Sequence, residues 1–351
     1  MSSHLAIYRR ELSAYFTSPI GYIFLATFVI FTNLLALFVI PPGFFEYPLA
    51  DMRVYFHVLA GVSAFLVAAV TMRLWAEEKK GNTFELLLTL PSREGALVAG
   101  KFLAAITFYA AGLVLTLSVP LMLMVLSRTA RTASQWYGLL DPGTTLAGYL
   151  GCLLLGATFI AFGIFVSGLC ADQIIAFVLT APLLFLAYLM GLPWMEQAID
   201  QAMSFLGPGL GEALGNYIGV FTHFNNLSRG LVDIGDILFF LVWTGIFLIL
   251  NALHLERRGR QSGKTTFYLS FLVLFALGAS LNWLFVEISF PRFDLTADRV
   301  FTVSEISGRV LQKTPEKIRL RYHVTPRDQM PPNLQDLERM VRDQLDTLVH
   351  A

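Results

Sequence analysis

The stretch "EEKKGNTFELLLTLPSREGALVAGK" (Glu77–Lys101) is charged at both ends, yet its middle, Phe84–Leu90, is apolar. That middle is far too short to cross a bilayer, which takes about 20 apolar residues in a helix. Gly81 breaks the helix before it, and Asn82 or Thr83 caps a new one by accepting backbone N–H groups. Pro91 then stops the helix, and Ser92 caps the next. The spacing predicts a short amphipathic helix over 82–91, with Phe84, Leu87 and Leu88 on one face and Glu85 and Thr89 pointing elsewhere. Apolar knobs flanked by Glu77 and Glu78 suit a groove on another protein. A helix resting on lipid headgroups has the same pattern.

Working outward, the stretch lies between two apolar runs long enough to span a membrane. The chain has 351 residues, 56% of them hydrophobic and only 14% charged. Soluble domains carry roughly 25% charged residues, so the deficit marks an integral membrane protein. Seven runs qualify as spans: Ile20–Ile40, Tyr55–Leu74, Phe102–Leu126, Leu146–Cys170, Ile174–Leu192, Ile234–Leu253 and Phe267–Phe290. Only Ala171, Asp172 and Gln173 separate the fourth from the fifth, which predicts a tight hairpin. Met1–Pro19 lacks the continuous apolar core of a signal peptide. Within it Leu5, Tyr8, Leu12, Tyr15 and Phe16 recur at helical spacing, with Arg9, Arg10 and Glu11 as polar partners. That is the pattern of a helix lying in the membrane interface over 1–19.

Cations set the expected orientation. Arg9, Arg10, Arg73, Lys79, Lys80, Arg93, Lys101, Arg257, Arg258, Arg260 and Lys264 fall on one side of the seven crossings. Arg53, Arg128, Arg131 and Arg229 fall on the other, eleven against four. The N-terminus is therefore expected in the cytoplasm and the tail from 291 to 351 outside. In that tail Ile318, Leu320, Tyr322 and Val324 alternate with charged residues, a strand signal. Leu334, Leu337, Val341, Leu345 and Leu348 then repeat at helical period. The tail reads as the opening of an α/β domain, which needs further strands from a partner or a longer chain to close its sheet.

Several chemistries are disfavoured. Net charge is zero, which gives no general attraction to nucleic acid. "GRQSGKT" near residue 260 has only three residues between Gly259 and Gly263, one fewer than a phosphate loop, and joins two spans with no strand before it. The six histidines are scattered without metal-ligand spacing, and His57 reads as an interfacial polar residue. Cys152 and Cys170 lie 18 residues apart in one run, about 27 Å on a helix, too far to pair. The spans hold almost no ionisable groups: Arg73, Asp236 and Glu287 fall at ends where snorkelling suffices, and Asn33 and Asn282 are satisfiable between helices. A transporter built this way needs an external source of energy.

Three segments carry a resemblance: "YRRELSAYFTSPIGYI" near the N-terminus, "KKGNTFELLLTLPSREGALVAGK", and "HFNNLSRGLVDIGDILFFLVWTGIFLILNALHLERR". Together they resemble the type-2 ABC exporter permeases, nearest to the gliding-motility-associated branch, over Ile7–Arg258. The resemblance implies an all-α polytopic membrane fold with a six-span permease domain over 20–258. It identifies 82–91 as a coupling helix that docks on a separate ATPase. Glu77, Glu78, Gly81, Thr83, Phe84, Glu85, Leu87, Leu88 and Pro91 then form the ATPase-coupling interface. ATP and magnesium would belong to that partner, with no cofactor or metal in this chain. A second permease copy, as a homodimer, and the inner bacterial membrane are also implied. "RFDLTADRVFTVSEISGRVLQKTPEKIRLRYHV" (Arg292–Val324) is similar to the start of the gliding-motility-type auxiliary ABC protein. The seventh span, 267–290, and the segment 291–351 would then be an auxiliary subunit fused to the permease and continuing beyond Ala351. The outer loop Pro193–Asp233 is expected either as short helices dipping into the outer leaflet or, around "LGPGLGEALG", as a plain loop. The competing reading is a membrane anchor or scaffold that presents the outer domain and moves no cargo. The spans alone suit lipid-like, polymeric or small hydrophobic substrates equally.

Overall fold

Several helices begin where a short polar side chain accepts a free N–H group. A computed structural model describes residues 3–39, 52–89, 94–130, 140–203, 209–260, 264–288, 290–299, 301–302, 322–325, 341 and 345. Helix α1 (Ser3–Thr17) is followed at once by α2 (Pro19–Leu34), where Ser18 accepts from the Ile20 N–H and Pro19 supplies the first helical φ. A π-helical turn (Leu35–Val39) extends α2. Next come α3 (Arg53–Thr71), α4 (Arg73–Lys80), the short α5 (Phe84–Thr89), α6 (Glu94–Thr116) and α7 (Ser118–Ala130). Helix α8 (Pro142–Leu169) starts on Asp141, whose Oδ1 accepts from the Gly143 N–H at 2.9 Å. Helix α9 (Gln173–Leu189) starts on Asp172, which caps the Ile174 N–H at 2.7 Å and makes the expected hairpin after α8.

The Pro193–Asp233 segment is helical rather than a plain loop where it is described. It holds α10 (Pro193–Ala202), α11 (Leu210–Tyr217), α12 (Val220–Ser228) and the strand β1 (Leu231–Asp233). Helices α13 (Ile234–Arg260) and α14 (Lys264–Glu287) and the strand β2 (Arg292–Asp294) complete the described elements.

Among the described residues, six helical stretches are long and apolar enough to cross a membrane, or seven if α9 and α10, which bend by 93°, count as one span. The protein is an all-α polytopic membrane protein. The spans alternate in direction: Asn33 meets Tyr55 at one end, and Lys79 meets the end of α8 at the other. Several span limits differ from the sequence reading, the start of the third most of all. The third span starts at Glu94, not Phe102, because Lys101 is paired inside the fold and does not end the apolar stretch. The fifth ends at Leu189, and Pro193 restarts the chain at a new angle.

Helix α8 is the axis of the bundle, with 78% of its apolar window buried against α3, α6, α9, α12 and α13. Close approach depends on missing side chains, since association in lipid relies on packing rather than on expelling water. A Cβ on Gly156 would meet the Tyr109 ring at 2.1 Å, and one on Gly163 would meet the Thr71 hydroxyl at 2.2 Å. Buried hydroxyls find partners on neighbouring helices. Tyr109 lies 2.8 Å from Ser63 and donates to the Cys152 carbonyl, and Thr158 lies 3.0 Å from Thr244. By contrast α14 is only 11% buried and packs on α13 by one stripe, with Phe275 5.0 Å from Trp243.

The tail returns to the bundle. Strand β2 pairs antiparallel with β1, Val232 opposite Phe293. Of the alternating stretch 317–324, Tyr322, His323 and Val324 are described and are not in a strand. Ile318 and Leu320 lie outside the described residues. Val341 and Leu345 are helical; the rest of 334–348 lies outside.

Candidate functional site

The span that leads to the opening stretch is broken. Helices α3 and α4 part at Met72, where the first N–H groups of α4 need new acceptors. Ser167 on α8 supplies one. Its hydroxyl donates to the Met72 carbonyl at 2.9 Å and accepts from the Trp75 and Ala76 N–H groups at 3.2 and 3.3 Å. One turn on, the Lys79 ammonium donates to the carbonyls of Gly168 and Cys170, the latter at 2.7 Å. A cation there satisfies the last carbonyls of α8 and suits its negative end. Helix α4 is thus fastened to α8 at both of its ends.

Helix α4 ends at Gly81, as expected, but Gly81 keeps a right-handed conformation with φ −81°. Asn82 makes the left-handed turn, φ +55°, which asparagine tolerates better than most side chains. The Thr83 hydroxyl turns back to the Glu78 carboxylate, 3.1 Å away.

Helix α5 forms within 82–91, but its apolar face is not the docking surface expected from the sequence. Phe84 and Leu87 are 6% and 5% exposed, turned into the protein's own core. Phe84 packs edge-on against Trp75 at 5.9 Å, beneath the Lys79 ammonium. The reason is proximity: a six-residue helix has room for one apolar face, and Trp75 is already beside it. Leu86 faces outward instead, 68% exposed, beside exposed Glu85 and Asn82. The side chain of Leu88, and Pro91 altogether, lie outside the described residues.

Charge collects behind α5. Glu11 on α1 and Glu78 on α4 share the Lys101 ammonium of α6, at 2.8 and 3.1 Å. Arg10 closes the group from outside, 2.6 Å from Glu11 and 2.7 Å from Glu78. Lys101 is 1% exposed and also lies 4.8 Å from the Trp75 ring centre. An unpaired buried ammonium costs several kcal/mol in lost hydration, so the two carboxylates are what let Lys101 sit there. Burial by itself raises the Glu11 pKa, but Lys101 and Arg10 outweigh it and hold the carboxyl below its ordinary range. The two helical segments on either side of α5 are thereby tied to α1.

Arg9 and Glu77 are exposed and stand outside this network. The apolar stripe of the N-terminal helix packs on the protein itself: Ile7, Tyr8, Leu12 and Tyr15 face the bundle, and Glu11 shares that face. Nothing in the periodicity separates Glu11 from a solvated carboxylate. The one available signal was Lys101, a lone charge beside the long apolar run of the third span.

Two other expectations shift. Asp236 does not snorkel; it is buried, 2.7 Å from His223 Nδ1 and 2.9 Å from the Asn226 amide. His57 packs against Phe221 at 4.9 Å and Phe224 at 6.2 Å rather than lying in the interface. The Glu287 side chain lies outside the described residues. The phosphate-loop look-alike joins two helices, with Gly259 still in α13 and Lys264 already in α14. Among the described residues no three His, Cys, Asp or Glu side chains are grouped to hold a metal.

Residues 43–260 match the family model described as ABC-2 family transporter protein. The match ends with α13 and leaves α1, α2, α14 and the tail outside it. A comparison with curated proteins found no match.

Proposed function

The chain belongs to the ABC-2 transporter family, and from that premise we propose that it is the permease subunit of an ATP-driven exporter. A separate ATPase docks on the end of the bundle that carries α5 and supplies the energy. The observation that carries this reading is the way α5 is mounted. Its inner face grips Trp75, its outer face offers Leu86 and Glu85, and α4 behind it is fastened to α8 by Ser167 and Lys79. A push on α5 is therefore delivered to the central helix. A ligand-biased shift between two arrangements of the bundle is the physics required.

On this reading the α5 end is cytoplasmic, which the gathering of Arg10, Lys79 and Lys101 there supports. The membrane is then the bacterial inner membrane, with the tail on its outer side. Two permease copies form the pathway as a homodimer. ATP and magnesium are bound by the ATPase, and this chain is not itself an enzyme. We assign the permease domain to 20–258, the coupling segment to 82–91, and 267–351 to a fused auxiliary part of the gliding-motility type.

The test is Leu86→Asp, on a side chain whose replacement leaves the core intact. It should abolish co-purification of an ATPase while membrane insertion and thermal stability persist. Undiminished ATPase association would reject α5 as the docking element.

A further inference from the structure

The two central helices α8 and α13 run in the same direction, and both start at the end of the bundle opposite α5. Helix α8 alone spans about 42 Å by its 28 residues. Each starts on an aspartate, and each aspartate divides its two oxygens in the same way. Asp141 caps its own helix with Oδ1, on the Gly143 N–H, and uses Oδ2 to accept from the Ala297 N–H at 3.0 Å. Asp233 caps with Oδ1, on the Gly235 N–H at 2.8 Å, and uses Oδ2 to accept from Arg292 Nε at 2.9 Å. The tail segment 292–297 therefore lies across both helix starts, one end on each.

Further contacts fix its course. The Leu295 N–H donates to the Gly230 carbonyl at 3.0 Å, and β2 pairs with β1. A Cβ on Gly143 would meet the Leu295 carbonyl oxygen at 1.8 Å, so only glycine lets the segment lie this close to α8. Gly230, at φ +90°, turns the chain beneath it. Asp294 closes the segment's far side, accepting from Thr296, Phe301 and Thr302.

We propose that residues 292–297 are a strap that holds the outer starts of α8 and α13 together and lets go of one of them when the exporter opens outward. This rests on the permease reading above. The physical reason is length: five residue steps reach at most about 18 Å even when fully extended, which bounds how far the two helix starts can part while both contacts hold. If the helix starts separate beyond that reach, the strap cannot satisfy both aspartates. The movement driven from the α5 end is then passed to whatever follows residue 302, which makes the tail a moving part of the exporter.

The test uses backbone hydrogen exchange on the full chain in lipid nanodiscs. Asp141→Asn and Asp233→Asn each keep a capping oxygen but weaken the strap's attachment. Asp141→Asn should raise exchange at the Ala297 amide at least tenfold, with Gly143 still protected. Asp233→Asn should do the same at Leu295. Unchanged exchange in both variants overturns the strap. In the complex with its ATPase, magnesium-ATP with orthovanadate should raise exchange at Leu295 and Ala297 at least tenfold over the nucleotide-free complex. Unchanged exchange with nucleotide trapped overturns strap release. If no ATPase associates, the permease reading fails and nucleotide-driven release fails with it, while the static strap is still judged by the two asparagine variants.

Discussion

The ammonium of Lys101 on α6 lies 3.1 Å from the carboxylate of Glu78 on α4, although the whole of α5 separates them in sequence. The same nitrogen lies 2.8 Å from Glu11 on α1, so one buried cation closes a loop of three helical segments around the α5 end of the bundle. Replacing Lys101 by Met should cost about 3–5 kcal/mol, because two partly buried carboxylates lose their common partner. Lys101→Met with Glu11→Gln should cost clearly less than the sum of the two single changes, as expected for groups in one network. Thermal unfolding of the four proteins in one detergent measures this.

Acid should release the same loop. The Glu11 carboxyl is held below its ordinary range, so the folded protein binds that proton less readily than the unfolded chain. A depressed carboxyl stabilises above its unfolded pKa, about 4.3, and the stabilisation is lost as pH falls through the lower folded value. The gap in Tm between wild type and Glu11→Gln should stay constant from pH 6 to 8. It should narrow as pH falls below about 4.3 and close once pH has passed the lower folded value. A gap that persists there would mean that Glu11 contributes by shape and not by charge.

On the proposed reading, Lys79 transmits rather than docks. Lys79→Met removes two charge-assisted hydrogen bonds from the end of α8, each worth about 1.5–3 kcal/mol at most. The ATPase should still co-purify, since Leu86 and Glu85 are untouched. Transport should fall at least tenfold, so that ATP hydrolysis proceeds without matching export. Loss of ATPase association instead would make Lys79 part of the docking face.

Packing along α8 gives a prediction independent of ATP. Gly163→Ala sets a methyl group on the Thr71 hydroxyl and should destabilise by about 1–3 kcal/mol. Gly163→Ala with Thr71→Ala should recover part of the loss, because the alanine lacks both the hydroxyl and the methyl that lie 2.2 and 3.2 Å from the added carbon. Thermal denaturation of the single and double variants reads both effects.

Much of the architecture was legible because lipid imposes a simple rule: a crossing needs a long apolar run. Asp172 lay in the three-residue gap that marked the hairpin between the fourth and fifth spans, and it caps the helix that follows. The site was legible only in outline. The periodicity that marked Phe84 and Leu87 as one apolar face carries no sign of whether that face meets a partner or the chain's own Trp75. Glu11, Lys101 and Ser167 were hidden for a different reason, since each has a partner on a helix 90 to 95 residues away in sequence. The strap was hidden too: nothing in an aspartate before a helix tells how its second oxygen is used.

The irregular turn at Met72 interrupts the helical hydrogen bonding of the second crossing, which still runs as one stretch of 28 residues. A single hydroxyl, that of Ser167, holds the Met72 carbonyl and two of the N–H groups that follow it. On the proposed reading, torque applied to α4 has to carry the neighbouring column along or tear three bonds at once.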